Sequence, residues 1–210
     1  MKTYLFDFDG TLVDSMPTYG AMMLGILKEE KATYGADILK IITPLGYTLT
    51  AKYFVEHCGV KADQQDLIDT MNERAGRAYA TTIPAKPHVS EVLHALKAQG
   101  CSLNVLTASP HTMLDPCLQR LGLFDLFDNV WSCEDFGTGK SDPQIYHMAA
   151  AKLGCTTKDV IFLDDNLGAD TTAKAAGMTV YGVFDESSRD DADKIKAVAD
   201  RYIYDFTELL

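Results

Sequence analysis

Apolar and polar positions alternate in two distinct rhythms along this chain. The first apolar run closes on Phe6-Asp7-Phe8-Asp9-Gly10-Thr11. Side chains of an extended strand point alternately to opposite faces, so Phe6 and Phe8 are expected in the core and Asp7 and Asp9 together on the other side. From Ser15 the period becomes helical, with Ser15 as expected N-cap, Pro17 in the first turn and apolar positions through Leu27. Residues 35–80 give further helices, around Thr50–Cys58 and Asp63–Tyr79, with loops such as Thr43-Pro44-Leu45-Gly46 between them. Pro84 and Pro87 end this block.

Beyond the prolines, helices and strands alternate. The pattern predicts a helix at Val89–Gln99, a strand at Ser102–Thr107, a helix at Thr112–Leu121 and a short strand near Val130. After the loop at Gly137-Thr138-Gly139-Lys140 come a helix at Pro143–Leu153, a strand at Val160–Leu163 and a helix through Ala176. Strands follow at Thr179–Val183 and Arg201–Tyr204. Such alternation predicts an α/β fold, a Rossmann-like parallel sheet with helices on both faces. The helical block then reads as an all-α cap (residues 15–85) inserted into a core of residues 1–14 and 86–210.

Composition narrows the function classes. With 210 residues, 47% hydrophobic and 23% charged, the chain is ordinary for a globular protein. A formal charge of -11 and a pI near 4.8 argue against nucleic acid or an anionic membrane as partner. No apolar run approaches the ~20 residues that span a bilayer. The chain enters a strand directly after Met1-Lys2, which leaves no room for a secretion signal. Five scattered cysteines, without Cys-x-x-Cys spacing, read as reduced thiols of a cytoplasmic protein, a monomer or small homo-oligomer.

Reactive groups gather where predicted strands end, the edge at which open α/β sheets bind ligands. The first strand ends in Asp7 and Asp9, the second in Thr107-Ala108-Ser109, a third in Asp164-Asp165, and Lys140 lies in a glycine-flanked loop. Two carboxylates about 7 Å apart repel by roughly 2–3 kcal/mol at an effective dielectric near 20, so a cation is expected between Asp7 and Asp9. Carboxylates bind hard cations such as Mg²⁺ alongside substrate phosphate. They also attack phosphorus to form aspartyl-phosphates, while a lysine and a hydroxyl hold the phosphoryl oxygens.

The run Asp7-Phe8-Asp9-Gly10-Thr11-Leu12-Val13-Asp14-Ser15, the strand-end Thr107, the Gly139-Lys140-Ser141-Asp142-Pro143 loop and the Asp164-Asp165 pair resemble the four motifs of haloacid dehalogenase superfamily phosphatases. The resemblance extends to Ala173-Lys174-Ala175-Ala176-Gly177-Met178. It implies a helical cap, Mg²⁺ dependence and hydrolysis of a small-metabolite phosphomonoester, of phosphoglycolate type, through an aspartyl-phosphate. By position, Asp7 would be nucleophile and metal ligand. Asp9 would be general acid/base, with its backbone carbonyl on the metal. Gly10, Thr107, Ala108 and Lys140 would bind the phosphate, and Asp165, assisted by Asp164, would bind Mg²⁺. The chain departs from the family in three places: Ser141 stands where proline is common, Ala169 four residues after Asp165 where an acid or amide is common, and Pro87-His88 where Pro-Gly is common. Asp170 could replace the missing group, but it reads rather as the N-cap of its helix.

Other assignments are structural. Met22, Met23 and Tyr19 read as cap packing, Lys52, Arg74 and Arg77 as a solvated face, and the five histidines as structural or surface groups. Gly46-Tyr47 is the expected specificity loop. A β-phosphoglucomutase-like mutase is the alternative, weakened because Tyr19 stands where those mutases carry histidine. A phospho-accepting signalling module is disfavoured by motif order, since it carries its acid pair on the first strand and its acceptor on a later one.

Overall fold

A computed structural model describes residues 2–210, the side chain of Pro44 excepted. In chain order the elements are β1 (Thr3–Phe6), α1 (Met16–Glu29), α2 (Ile38–Ile42), α3 (Gly46–His57), α4 (Gln64–Thr81), α5 (Val89–Ala98) and β2 (Ser102–Thr107). They continue with α6 (His111–Arg120), β3 (Asn129–Ser132), α7 (Gln144–Lys152), β4 (Val160–Asp164), α8 (Leu167–Ala175), β5 (Thr179–Val183), α9 (Ala192–Val198) and β6 (Arg201–Ile203). The chain divides into two compact units, Met1–Ser15 with Ile83–Leu210, and Met16–Thr82.

The first unit holds a six-stranded sheet in the order β3-β2-β1-β4-β5-β6, every neighbouring pair parallel. A parallel sheet is buried on both faces, which is why its strands read as apolar runs rather than clean alternation. β1 lies between β2 and β4, with Thr3 opposite Ser102 on one side and Val160 on the other. Leu5 packs into a cluster with Leu106, Ile145, Tyr146, Phe162 and Val180. Tyr4 and Phe6 face the opposite way, stacked with centroids 5.7 Å apart, and Phe6 stacks in turn on Phe206. The ladder outlasts the strand, since the Asp7 N–H donates to the Leu163 carbonyl at 2.8 Å.

The second unit is all helical. Met23, Ile26, Leu27, Ile42, Phe54, Leu67 and Met71 form its core, with Tyr19 and Met22 packed against it, as the packing reading of that patch expects. Arg74 forms a two-point ion pair with Glu29, and Arg77 and Lys52 pair with Glu73 and Glu56 on their own helices. Asp63 caps α4 by accepting from the Gln65 N–H.

One local expectation fails and one element was missed. The Ser15 hydroxyl is buried with no hydrogen-bond partner, so it is not a side-chain cap for α1. The seven-residue α9 was not expected, because it is too short to show a period, whereas the five-residue α2 lies within the helical stretch expected over 35–80. Among the described residues no helix is long and apolar enough to cross a membrane.

His88 has φ +62, the left-handed region that favours glycine. Its Nδ1 lies 2.7 Å from Asp205 Oδ2, an exposed pair of small worth. His88→Gly should therefore match or exceed the native stability, whereas His88→Val should lose about 1–3 kcal/mol; urea denaturation of both variants measures this.

Candidate active site

Every predicted site residue sits at the carboxyl edge of the sheet or in a loop folded onto it. Asp7 follows β1, Thr107 ends β2, Asp164 ends β4 and Asp165 follows it. The carboxylates of Asp7, Asp164 and Asp165 are buried, with one oxygen of each within 4.8 Å of the others. Lys140 donates to Asp7 Oδ1 and, at 2.8 Å, to Asp164 Oδ2. Its side chain is only 12% exposed, contrary to the usual solvated lysine.

Position of that lysine is enforced from several sides. Tyr146, buried in the sheet core, places its hydroxyl 3.1 Å from both the Lys140 and the Ala169 carbonyl, which share its one hydrogen. The ammonium lies 5.6 Å from the Phe162 ring centroid. Asp164 is oriented in turn by the Asn166 N–H, 2.8 Å from its Oδ1.

Burial and crowding shape the electrostatics. Burial pushes Asp7 up to about 8; Lys140 opposes this, while Asp164 and Asp9 add to it. Burial, then the charges of Asp164 and Asp7, hold Asp165 well above the usual carboxylate range. Desolvation pulls Lys140 down, but Asp164 and Asp7 outweigh it and keep the ammonium firmly protonated. One ammonium pairs with two of these acids, and only the more distant Lys86 opposes the charge of Asp165, so the site is short of positive charge. Oxygen ligands packed this closely suit a hard divalent cation such as Mg²⁺.

Asp9 is turned elsewhere. Its Oδ2 accepts from the Ser109 hydroxyl at 2.5 Å, and the Ser109 N–H donates to Thr107 Oγ1 at 3.0 Å. Lys140 joins Asp7 to Asp164, and a serine joins Asp9 to the second strand end. Thr107 is 1% exposed, with its hydroxyl hydrogen still free of this turn, and Ala108 beside it is exposed. Gly10 has φ +76, and a Cβ there would fall 2.7 Å from the Asp165 carboxyl, so only glycine lets the two pack. The Thr11 hydroxyl reaches Asp165 Oδ1 at 3.3 Å.

Asp170 is not the helix cap. Asn166 is, accepting from the N–H groups of Gly168 and Ala169, whereas Asp170 lies one turn inside α8, fully buried. Neither of its oxygens has a hydrogen-bond partner, and burial, with Asp164 nearby, pushes it up to about 9. Its place three residues before the buried Ala173, on the same face of α8, was the available signal that it points inward.

Two groups escaped the sequence reading. Lys86 and Asp185 form a buried ion pair at 3.0 Å beside this loop system. Nothing in their spacing marks them. His111, expected to be structural or surface, bridges Asp115 (2.9 Å) and Asp135 (2.8 Å) and so joins α6 to the turn after β3.

A family model for haloacid dehalogenase-like hydrolases matches residues 1–177. The chain belongs to that family of hydrolases. Among its relatives, hexitol phosphatase B of Escherichia coli (strain K12) is 29% identical over 180 residues, 83% of this chain and 79% of that protein. Phosphoglycolate phosphatase of Salmonella typhi is 28% identical over 199 residues, 85% and 79% of the two chains. The solved structure of CbbY from Rhodobacter sphaeroides in complex with phosphate superposes with a TM-score of 0.81 at 21% identity, covering 100% of this chain and 96% of that one.

The two acids beside His111, Asp115 first, raise its pKa above the ordinary 6.5. A raised folded-state pKa gives stability that is full below 6.5 and is lost as pH climbs through the folded value. His111→Ala should therefore be less stable than the native chain at pH 5.5, by under about 1 kcal/mol given its exposure, and the gap should close at alkaline pH. Thermal melts across pH measure it.

Proposed function

We propose that this hydrolase is a Mg²⁺-dependent phosphatase that cleaves a small-metabolite phosphomonoester, of phosphoglycolate type, through an aspartyl-phosphate on Asp7. The observation that carries this reading is the buried cluster of Asp7, Asp164 and Asp165 around the Lys140 ammonium at the sheet edge. The phosphatase names of the curated relatives support it.

Asp7 attacks phosphorus, the bond from phosphorus to the ester oxygen breaks, and Asp9 gives its proton to the departing alkoxide. Asp9, now a carboxylate, takes a proton from water. That water attacks the phosphorus of the acyl-phosphate, inorganic phosphate leaves, and the Asp7 carboxylate is restored. The Ser109 hydroxyl orients Asp9 for both proton transfers. Lys140 and the Thr107 hydroxyl hold the phosphoryl oxygens, with backbone N–H groups near Gly10 and Ala108 contributing.

Asp7, Asp165 and the Asp9 carbonyl, with Asp164 assisting, would hold Mg²⁺. When bound, it supplies positive charge against the developing phosphoryl charge and keeps Asp7 ionised. That ionisation matters, because burial, with Asp164 and Asp9 nearby, holds Asp7 at about 8 even against Lys140. Free cysteines support a reducing, cytoplasmic setting.

A phosphate-release screen over small phosphorylated metabolites with Mg²⁺ tests the reading, and conversion of a sugar phosphate without phosphate release would favour a mutase instead. Asp7→Asn should lower kcat on the order of 10⁴-fold with the circular dichroism spectrum unchanged. Asp9→Asn should cost about 10²–10⁴-fold and trap phosphate on the protein, which intact-mass spectrometry detects. EDTA should silence the enzyme and Mg²⁺ restore it. Full turnover in EDTA would remove the metal from the reading.

A further inference from the structure

The turn that follows Asp7 is held by its own backbone, by side-chain bonds to Ser109 and Asp165, and by Lys86, which meets its backbone carbonyls. Gly10 N–H donates to the Val13 carbonyl at 2.9 Å, and Leu12 and Val13 both donate to the Phe8 carbonyl. These bonds leave the carbonyls of Gly10 and Leu12 to be met from outside the turn. Lys86 meets both. Its backbone N–H donates to the Leu12 carbonyl at 3.0 Å, and its ammonium donates to the Gly10 carbonyl at 2.7 Å.

The other two ammonium hydrogens are also committed. They go to the Phe184 carbonyl at 2.6 Å and to Asp185 Oδ2 at 3.0 Å. Three donors meet three acceptors, and the side chain is 15% exposed. Asp185 is fixed in turn, since its other oxygen accepts from the N–H and hydroxyl of Ser187. An ammonium with no hydrogen to spare is not built to grip a substrate. It is built to fix the three segments it joins.

What those segments carry gives the clamp its meaning. Gly10 packs directly beneath the Asp165 carboxyl, and Thr11 touches the same carboxyl through its hydroxyl. A shift of the Gly10 peptide therefore moves Asp165 on one side and Asp9 on the other. Pairing of Val13 with Ala85 sets Lys86 alongside the turn in the first place.

We propose that Lys86 is a positioning residue for phosphoryl transfer, clamping the Gly10–Leu12 turn at two points so that Asp7, Asp9 and Asp165 keep one relative geometry. The inference rests on the phosphatase reading and on the roles given there to Asp7 and Asp9. It adds a group in a linker, distant in sequence from every motif, on which turnover depends although it touches neither phosphate nor metal.

Two variants test it, each avoiding an unpaired buried charge. Lys86→Met with Asp185→Asn removes the ion pair as a unit, and Lys86→Arg keeps the cation but not the compact three-way donor. With both folded by circular dichroism and assayed well below their melting temperatures, kcat should fall at least tenfold in the double variant and KM change less than threefold. Amide hydrogen exchange of residues 8–14 should quicken while β5 and α5 stay protected. The Arg variant should fall between the double variant and the native enzyme. A double variant with kcat within twofold of native, or with unchanged exchange in residues 8–14, overturns the clamp. Failure of both variants to fold also overturns it, because Lys86 would then be a folding element. If the native enzyme releases no phosphate from any ester, the phosphatase reading has failed; the hydrogen-exchange comparison still decides whether Lys86 holds the turn.

Discussion

A buried ammonium between two buried carboxylates is the contact on which this catalytic unit depends. Lys140 is reached from the Asp7 side through the first strand and from the Asp164 side through the fourth. Removing it would leave two acids facing each other in a site from which water is largely excluded, a far greater cost than losing a surface pair. The cost of placing the lysine there is offset by geometry: a tyrosine hydroxyl on its carbonyl, an aromatic ring beneath its ammonium and acids on two sides. The same arrangement is poor for stability and good for chemistry. Acids held above their ordinary range respond strongly to any added positive charge.

The sheet order explains how so few residues make the site. Because β1 is central, the loop after it has a neighbour on each side, the Thr107-Ala108-Ser109 turn and the Asp164-Asp165 turn. Parallel pairing brings all three carboxyl ends to one edge. Ser109 then ties the first turn to the second, as Lys140 ties it to the third. Asp7 and Asp9 are thereby given different surroundings, one buried among charges and one hydrogen-bonded to a hydroxyl. Separation of environments is what allows neighbouring carboxylates to take separate tasks.

Much of this was legible in the chain because parallel strands are short apolar runs that end abruptly in polar residues. β2 and β5 were bounded to the residue, and Asp7, Thr107, Lys140 and Asp164-Asp165 stood in the order of the family's motifs. What escaped was whatever depends on direction or distance rather than on pattern. Asp170 has the sequence context of a cap, yet the helix starts at Asn166, and the acid's angular position turns it into the core. Ser15 has the right type for a cap but makes no such bond. α9 hides in a charged run with Ile195 as its single buried residue. Lys86 meets partners 76 and 98 residues away, and no local period can announce such a contact.

The central place of β1 also fixes when Asp7 can be held in place during synthesis. Its ladder partners are Ser102–Thr107 and Val160–Asp164, and the bond that anchors Asp7 is accepted by Leu163. A ribosome must therefore release most of the chain before the first motif it made can be held in place. Until then Phe6 and Phe8 are unpaired apolar groups beside an unneutralised acid pair, a segment open to chaperones and to aggregation. Met16–Thr82 forms a compact unit of its own, and the Val13–Ala85 bridge brings together the chain on either side of it, which shortens the effective loop that β1 must close to reach β2.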